Sequence, residues 1–340
     1  MQASIIGFQY SGKTLSLQAL TGVEYPKKEE IIGTIKVPDE RIDYLTKLYK
    51  PKKTTYAEFS ITDYNFPPIE NYIIPSKVKN LIQKSDLLIC VLRNFDSQMS
   101  KDPKDPLKEY IKIKEEIIFS DLFTIEKRFE RENKEKKNPP EIKVINKLNS
   151  ILNENRFPKE NDLTNEELAC ITNFSFLSLK KIIVLLNQEE GIFEIPDELS
   201  KILKEDNITC FQISATLENE LNMIPEEERE SFLTSYGLKE PASAKFIKHT
   251  YDSLGLISFF TVGEDEVKAW SIKKDTKAQI AAGKIHSDIQ RGFIRAEVMS
   301  YDDLKTLGSE AECKKAGKFR LEGKDYIVKD GDIISYRFNI

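Results

Sequence analysis

The sequence predicts an α/β fold: a doubly wound, mainly parallel sheet interrupted by an α-helical hairpin and followed by a small α+β module. Three observations carry this. Short apolar runs at Gln2–Ile6, Asp86–Leu92 and Lys180–Leu186 have the character of buried strands in a covered sheet, Thr209–Ile213 reads as a further strand, and helical patterns alternate with them. From about Leu107 the pattern changes to long helices rich in Lys and Glu, with Ile111, Ile118 and Ile125 at seven-residue spacing. Near the C-terminus, Ile257–Val262, Val267–Ile272, Phe293–Val298 and Ile333–Phe338 are short β patterns separated by Gly-containing turns and one helix near Gln279–His286, a mixed-sheet module. The segments divide as 1–106 and 161–255 for the two parts of the first domain with a helical connection, 107–160 for the hairpin, and 256–340 for the last module.

The first strand, Gln2–Ile6, runs into Gly7-Phe8-Gln9-Tyr10-Ser11-Gly12-Lys13-Thr14, which fits G-x-x-x-x-G-K-[ST], and Leu15, Leu17, Ala19 and Leu20 open a helix after it. In that setting the glycines let the backbone wrap a polyphosphate, with successive N–H groups and the helix N-terminus pointing at the anion. Gly7, Gln9, Ser11, Gly12, Lys13 and Thr14 are therefore candidate phosphate contacts, and the Thr14 hydroxyl is a candidate Mg²⁺ ligand.

Thr34–Val37 alternates like an edge strand, Pro38–Arg41 starts a helix through Ile42, Leu45 and Leu48, and Lys50-Pro51-Lys52-Lys53 ends it. Tyr56–Asp63 returns as a strand ending in a carboxylate. Asp63 has two readings, a support for Mg²⁺ near the γ-phosphate or an ordinary strand-end turn residue. Val78, Leu81 and Ile82 mark a helix before the strand at Asp86–Leu92. Asn138-Pro139-Pro140 breaks the long helical region, and Ile145, Leu148 and Leu152 mark its second arm. With its charges balanced, that hairpin reads as a solvated helical pair ahead of an RNA-binding prong.

The strand at Lys180–Leu186 ends at Asn187-Gln188-Glu189-Glu190. Ile195–Lys204 reads as a helix, and the strand at Thr209–Ile213 ends at Ser214-Ala215-Thr216. Two successive strand ends thus place polar residues where a nucleotide base lies, outside the carboxyl edge of the sheet. Glu218 to about Gly255 is a helical connection, with a start at Pro225–Arg229. Trp270, at an alternating strand position, reads as core ahead of a base-stacking platform.

At 340 residues the chain can bury two or three cores, and a net charge of -5 gives no overall basic surface. Cys90, Cys170, Cys210 and Cys313 lack paired or metal-ligand spacing, which fits a reducing cytoplasm. The N-terminus enters the first strand at once, leaving no signal peptide, and no apolar stretch reaches a membrane span. Only His249 and His286 are present, so histidine-based metal sites and most His-dependent catalysis are poorly supplied.

Thr276–Val298 and Gly317–Asp332 closely resemble the C-terminal domain of the YchF-type, Obg-related P-loop NTPases, and the connection Glu226–Phe260 is similar to that family. In the first domain the phosphate loop, Val37-Pro38-Asp39-Glu40-Arg41, Lys50-Pro51-Lys52-Lys53 and Leu122–Arg131 match in order, so the resemblance covers nearly the whole chain. It implies a G-domain interrupted by a coiled-coil hairpin and followed by a TGS-like domain. It also implies binding and hydrolysis of ATP, sometimes GTP, with Mg²⁺, and association with ribosomes. The family's base-reading motif is commonly N-x-x-E; Asn187 and Glu190 keep that form, and Ser214, Ala215 and Thr216 resemble its second base-side motif. Guanine presents adjacent N–H donors, adenine an N6 amino donor beside the N1 acceptor, so loss of N-K-x-D weakens a guanine reading while Glu190 keeps a carboxylate.

The departures lie around the γ-phosphate. Where the family has D-x-x-G and a glycine-rich mobile loop, this chain has Asp63-Tyr64-Asn65-Phe66-Pro67-Pro68. Without the Gly the sensing amide approaches less closely, and the prolines stiffen a segment that normally moves. The first switch, between Gly22 and Thr34, is short and lacks a clear Mg²⁺-binding Thr. The family's ATPase-associated histidine has no counterpart in Arg93–Met99, and Gln98 has no spacing that marks it as a water-positioning group.

The resulting expectation is a purine-nucleotide-binding protein, ATP-preferring, with weak or lost hydrolysis and a ribosome or RNA partner reached through the C-terminal domain and the hairpin. An active ATPase or GTPase of the same family and a non-enzymatic ribosome- or RNA-associated adaptor are the alternatives. A small-molecule kinase shares the phosphate loop but lacks a recognisable acceptor segment.

Overall fold

The computed structural model describes residues 2–24, 28–64, 74, 76–100, 102–132, 139–191 and 194–339. They group into two compact units, Met1–Gly33 with Ser60–Ser243, and Thr34–Phe59 with Ala244–Ile340.

The first unit is built on a six-stranded sheet in the order β2 (Glu30–Lys36), β4 (Glu58–Tyr64), β1 (Gln2–Ile6), β5 (Leu87–Asn94), β6 (Lys181–Gln188), β7 (Thr209–Ile213). β1 pairs in parallel with β4 and β5, β5 with β6, and β6 with β7. Residues Ala3–Ile6 and the first seven of β5 are all buried, as central strands with both faces covered require, whereas β2 at the edge alternates between exposed and buried. The shared direction of β4, β1, β5, β6 and β7 gathers their carboxyl ends on one edge of the sheet.

Helices α1 (Lys13–Thr21), α3 (Ser76–Ile82), α4 (Pro106–Glu132), α5 (Pro139–Asn153), α6 (Asn165–Ile171), α7 (Asp197–Glu205), α8 (Ala215–Met223) and α9 (Glu226–Ser235) complete this unit. α5 begins on two prolines, whose missing N–H groups cost nothing in a first turn; Asn138 and Asn65–Pro68 lie outside the described residues. On α4 the seven-residue pattern is only part of the buried face. Ile118 and Ile125 are buried, but so are Tyr110, Ile113 and Ile117, and α4 packs on β5 and α7 as well as on α5. Its root is fixed by Asp206, which accepts from Lys114 Nζ at 2.7 and 2.8 Å and from Tyr110 Oη at 2.6 Å. The hairpin therefore shares one apolar core with the sheet.

Asp121, fully buried on α4, accepts from Leu177 N at 3.0 Å and Ser178 N at 2.7 Å. Burial pushes its carboxyl up from 3.8 to about 6 against those bonds. The folded state therefore holds this proton better than the unfolded chain does, and the stability so gained is complete below about pH 4 and lost as pH rises through about 6. Relative to Asp121→Asn, wild-type stability in urea should fall by about 2–3 kcal/mol between pH 4 and pH 7.

The second unit holds a mixed sheet in the order β11 (Arg320–Glu322), β10 (Phe293–Ser300), β12 (Asp332–Phe338), β8 (Leu256–Thr261), β9 (Glu266–Lys273), β3 (Lys53–Thr55). β12–β8 and β3–β9 are parallel and the other pairs antiparallel. α2 (Glu40–Tyr49), α10 (Ala242–Ser253), α11 (Ala278–Ile285), α12 (Ser287–Arg291), α13 (Tyr301–Leu307) and α14 (Glu310–Lys315) accompany it. Phe259, Ile272, Ala296, Val298 and Ile334 form its core with Ala278 and Ala281 of α11, whose small side chains allow close approach. Trp270 is half-buried, its ring on Phe259, its Nε1 donating to Thr261 Oγ1 at 3.0 Å, and Lys268 Nζ 3.9 Å above it.

The link to Thr34–Phe59 explains two motifs. Lys50 closes α2 in a left-handed conformation, after which Lys53–Thr55 pairs with β9 and Thr55 Oγ1 donates to Glu266 Oε1 at 2.6 Å. Asp39 caps α2 by accepting from Arg41 N, and the Arg41 guanidinium spans Asp39 and Asp330 at 2.8 and 2.7 Å over the Phe260 ring.

Candidate nucleotide site

The loop after β1 is forced into shape by contacts that only glycine admits. A Cβ on Gly7 would lie 2.4 Å from Val91 O, and one on Gly12, at φ +85°, would lie 2.2 Å from Asn187 Nδ2. Gly12 caps α1 without a side-chain bond, and the first turn carries no acidic residue, so the helix N-terminus is left to an anion. Gly12→Ala is expected to cost about 2 kcal/mol or more through backbone strain and the Asn187 clash, read by denaturant unfolding.

Lys13 Nζ donates to Gly7 O at 3.0 Å and Phe8 O at 2.8 Å. Burial pulls its pKa down, while Asp63 and Glu109 act in the opposite direction. Thr14 Oγ1 donates to Asp63 Oδ2 at 2.5 Å. Asp63 is fully buried, its Oδ1 has no hydrogen-bond partner among the described residues, and burial raises its pKa against the Thr14 bond and the Lys13 charge. An orphaned carboxylate oxygen beside a hydroxyl suits a hard divalent cation. Among the described residues no three His, Cys, Asp or Glu side chains cluster as a metal site. Of the described residues, Thr14 and Asp63 could hold such an ion, with water and phosphate oxygens filling its shell, as Mg²⁺ does.

Asn187, at the end of β6 and 3% exposed, joins two loops: its Nδ2 donates to Ser11 O at 3.1 Å and its Oδ1 accepts from Ala215 N at 3.1 Å. Ser214 caps α8 by accepting from Leu217 N at 3.4 Å. Ser11, Gly12, Asn187 and Ala215 are thus in direct contact or adjacent. Gln9, Glu190 and Thr216 are exposed on the same side of the sheet's carboxyl edge, outside that bonded group.

Several residues that hold this arrangement carry no sequence signal of it. Asn219 Nδ2 donates to Leu15 O at 3.1 Å and Asn222 Nδ2 to Ala19 O at 2.9 Å, tying α8 to α1. Their i, i+3 spacing marks one helix face, but nothing in it names the partner. Buried Arg93 at the end of β5 pairs with Glu109 of α4, which also accepts from Arg93 N at 2.8 Å.

The family model YchF-GTPase_C, described as a protein of unknown function (DUF933), matches residues 256–339. A curated relative from Bacillus subtilis (strain 168), Ribosome-binding ATPase YchF, is 33% identical over 369 residues, covering all of both chains. Obg-like ATPase 1 from Oryza sativa subsp. japonica is 32% identical over all of this chain and 92% of its own. Among solved structures, the Schizosaccharomyces pombe YchF GTPase superposes with a TM-score of 0.87 at 28% identity, over 99% of this chain and 97% of that one. With the phosphate loop, the ordered sheet and a relative 33% identical from end to end, this chain belongs to the YchF-type, Obg-related family of P-loop NTPases.

Proposed function

We propose that the chain is an ATP-preferring, Mg²⁺-dependent nucleotide-binding protein with weak or lost hydrolysis that works on the ribosome. The observation that carries nucleotide binding is the Asn187 bridge, which sets the phosphate loop and the Ser214–Ala215 turn at a fixed spacing. Gly7–Thr14 would cradle the phosphates, Lys13 would move from the loop carbonyls to the β- and γ-phosphates, and Thr14 with Asp63 would hold Mg²⁺. Exposed Glu190 and Thr216 would face the base, with the Glu190 carboxylate accepting from the adenine N6 amino group.

Weak hydrolysis is supported by what replaces the reactive parts: no histidine in Arg93–Met99, and Asp63-Tyr64-Asn65-Phe66 in place of D-x-x-G. Association with ribosomes is supported by the names of the relatives and by charge. The second unit carries 23 Lys and Arg against 19 Asp and Glu, in a chain of net charge -5, so a polyanion is drawn to that unit.

Calorimetry with ATP, GTP and their diphosphates in Mg²⁺ tests the first part. The expected result is tighter binding of ATP than GTP; equal or GTP-favouring affinities would contradict the base assignment. Sedimentation with ribosomes at low salt tests the second, and failure to co-migrate would remove the ribosomal partner.

A further inference from the structure

One cation ties together the turns that follow β5 and β6. Lys104 Nζ lies 3.2 Å from both Asp96 Oδ2 and Glu189 Oε1, and the same Glu189 oxygen accepts from Asp96 N at 2.9 Å. The segment carrying Lys104 is itself anchored, because Arg93 Nη2 donates to Asp102 O at 2.9 Å and Pro103 O at 3.0 Å. Phe95, which precedes Asp96, lies 3.9 Å from where a Gly12 Cβ would sit. The brace therefore begins beside the phosphate loop and ends within the run Asn187–Glu190.

Its position in that run matters. Asn187 is held by Ser11 O and Ala215 N, and Glu189 by Lys104 and Asp96 N, while Glu190 is exposed at the turn between Glu189 and the left-handed Gly191. The place from which Glu190 can reach a ligand is set by the anchors before it in the chain. The Asp96 N bond, then Lys104, holds the Glu189 carboxyl below its ordinary range, so it remains an acceptor bound to the brace.

We propose that Lys104 is a positioning residue for base recognition, holding Glu189 against Asp96 so that the turn presents Glu190 to the purine. This rests on the nucleotide-binding reading above. Without the cation, Glu189 and Glu190 become adjacent carboxylates with one fewer restraint, and the turn relaxes. Because the residues are partly exposed, the brace contributes little to global stability, and its effect lies in the geometry of one loop.

The test compares Lys104→Met, which keeps the stem and removes the charge, with Lys104→Arg, which keeps a cation. Calorimetry with MgATP and with inorganic tripolyphosphate, a probe without a base, separates base from phosphate contacts. Lys104→Met should weaken MgATP binding by about three- to tenfold, leave tripolyphosphate affinity unchanged and leave the thermal midpoint within error. Lys104→Arg should return most of the ATP affinity. Unchanged ATP affinity in Lys104→Met, or an equal loss for tripolyphosphate, overturns the proposal while the nucleotide reading stands. A wild-type protein that binds neither probe overturns both.

Discussion

Lys13→Ala is expected to weaken MgATP binding by about a hundredfold, while the nucleotide-free protein loses less than about 1 kcal/mol of stability. The asymmetry follows from where the ammonium sits. In the described structure it satisfies itself on Gly7 O and Phe8 O, and burial already acts against its charge. Truncation there removes two neutral-acceptor bonds but also a desolvated cation, and the two effects offset each other. With nucleotide bound, the same group would bond phosphate oxygens, where charge-assisted bonds are roughly twice as strong as neutral ones. Calorimetry for affinity and urea unfolding for stability separate the two. A large stability loss with little change in affinity would make Lys13 a structural residue of the loop.

Asn187→Ala is expected to have the largest effect on the fold of the site. It leaves Ser11 O and Ala215 N without their side-chain partner in a buried setting, at about 1–3 kcal/mol for each group. Asn187→Asp is the sharper variant. Its carboxylate keeps the bond from Ala215 N but sets an acceptor against Ser11 O. Protonation would supply a donor in place of the lost amide, so the stability deficit of Asn187→Asp should shrink as pH is lowered and the new carboxyl is protonated. Unfolding curves of the two proteins across pH provide the check, and a deficit that does not change with pH would mean that the bridge to Ser11 O does not matter.

Much of the first unit can be read from the sequence because its signals are local. The phosphate loop is a contiguous pattern, and β1, β5 and β6 are apolar runs whose burial follows from being covered on both faces. Four strands of the second unit, β8, β9, β10 and β12, are equally legible as short β patterns, whereas the pairing of β10 with β12 joins segments separated by α13, α14 and β11 and leaves no local signal. What escapes is long-range. Lys50–Lys53 reads as a helix stop, and only the fold shows Lys53–Thr55 continuing as a strand against β9, some 200 residues away. Asn187 is recognisable as a base-side residue from its motif, but its amide is engaged by Ser11 and Ala215. Glu189, in the same four residues, carries no motif, and its partner Lys104 is 85 positions distant. Polar cross-links of this kind leave no periodicity, because a single pair contributes no repeating hydrophobic signal.

The proposed retention of ATP with slow cleavage is tested most directly by a single-turnover experiment, in which ATP labelled on the γ-phosphate is mixed with excess protein and Mg²⁺, and bound ATP and free phosphate are followed together. Lys13-dependent retention of intact ATP is expected, with phosphate released more slowly than about 10⁻⁴ per second, below the unassisted rate of Ras-type GTPases. Prompt, Lys13-dependent appearance of free phosphate would contradict it.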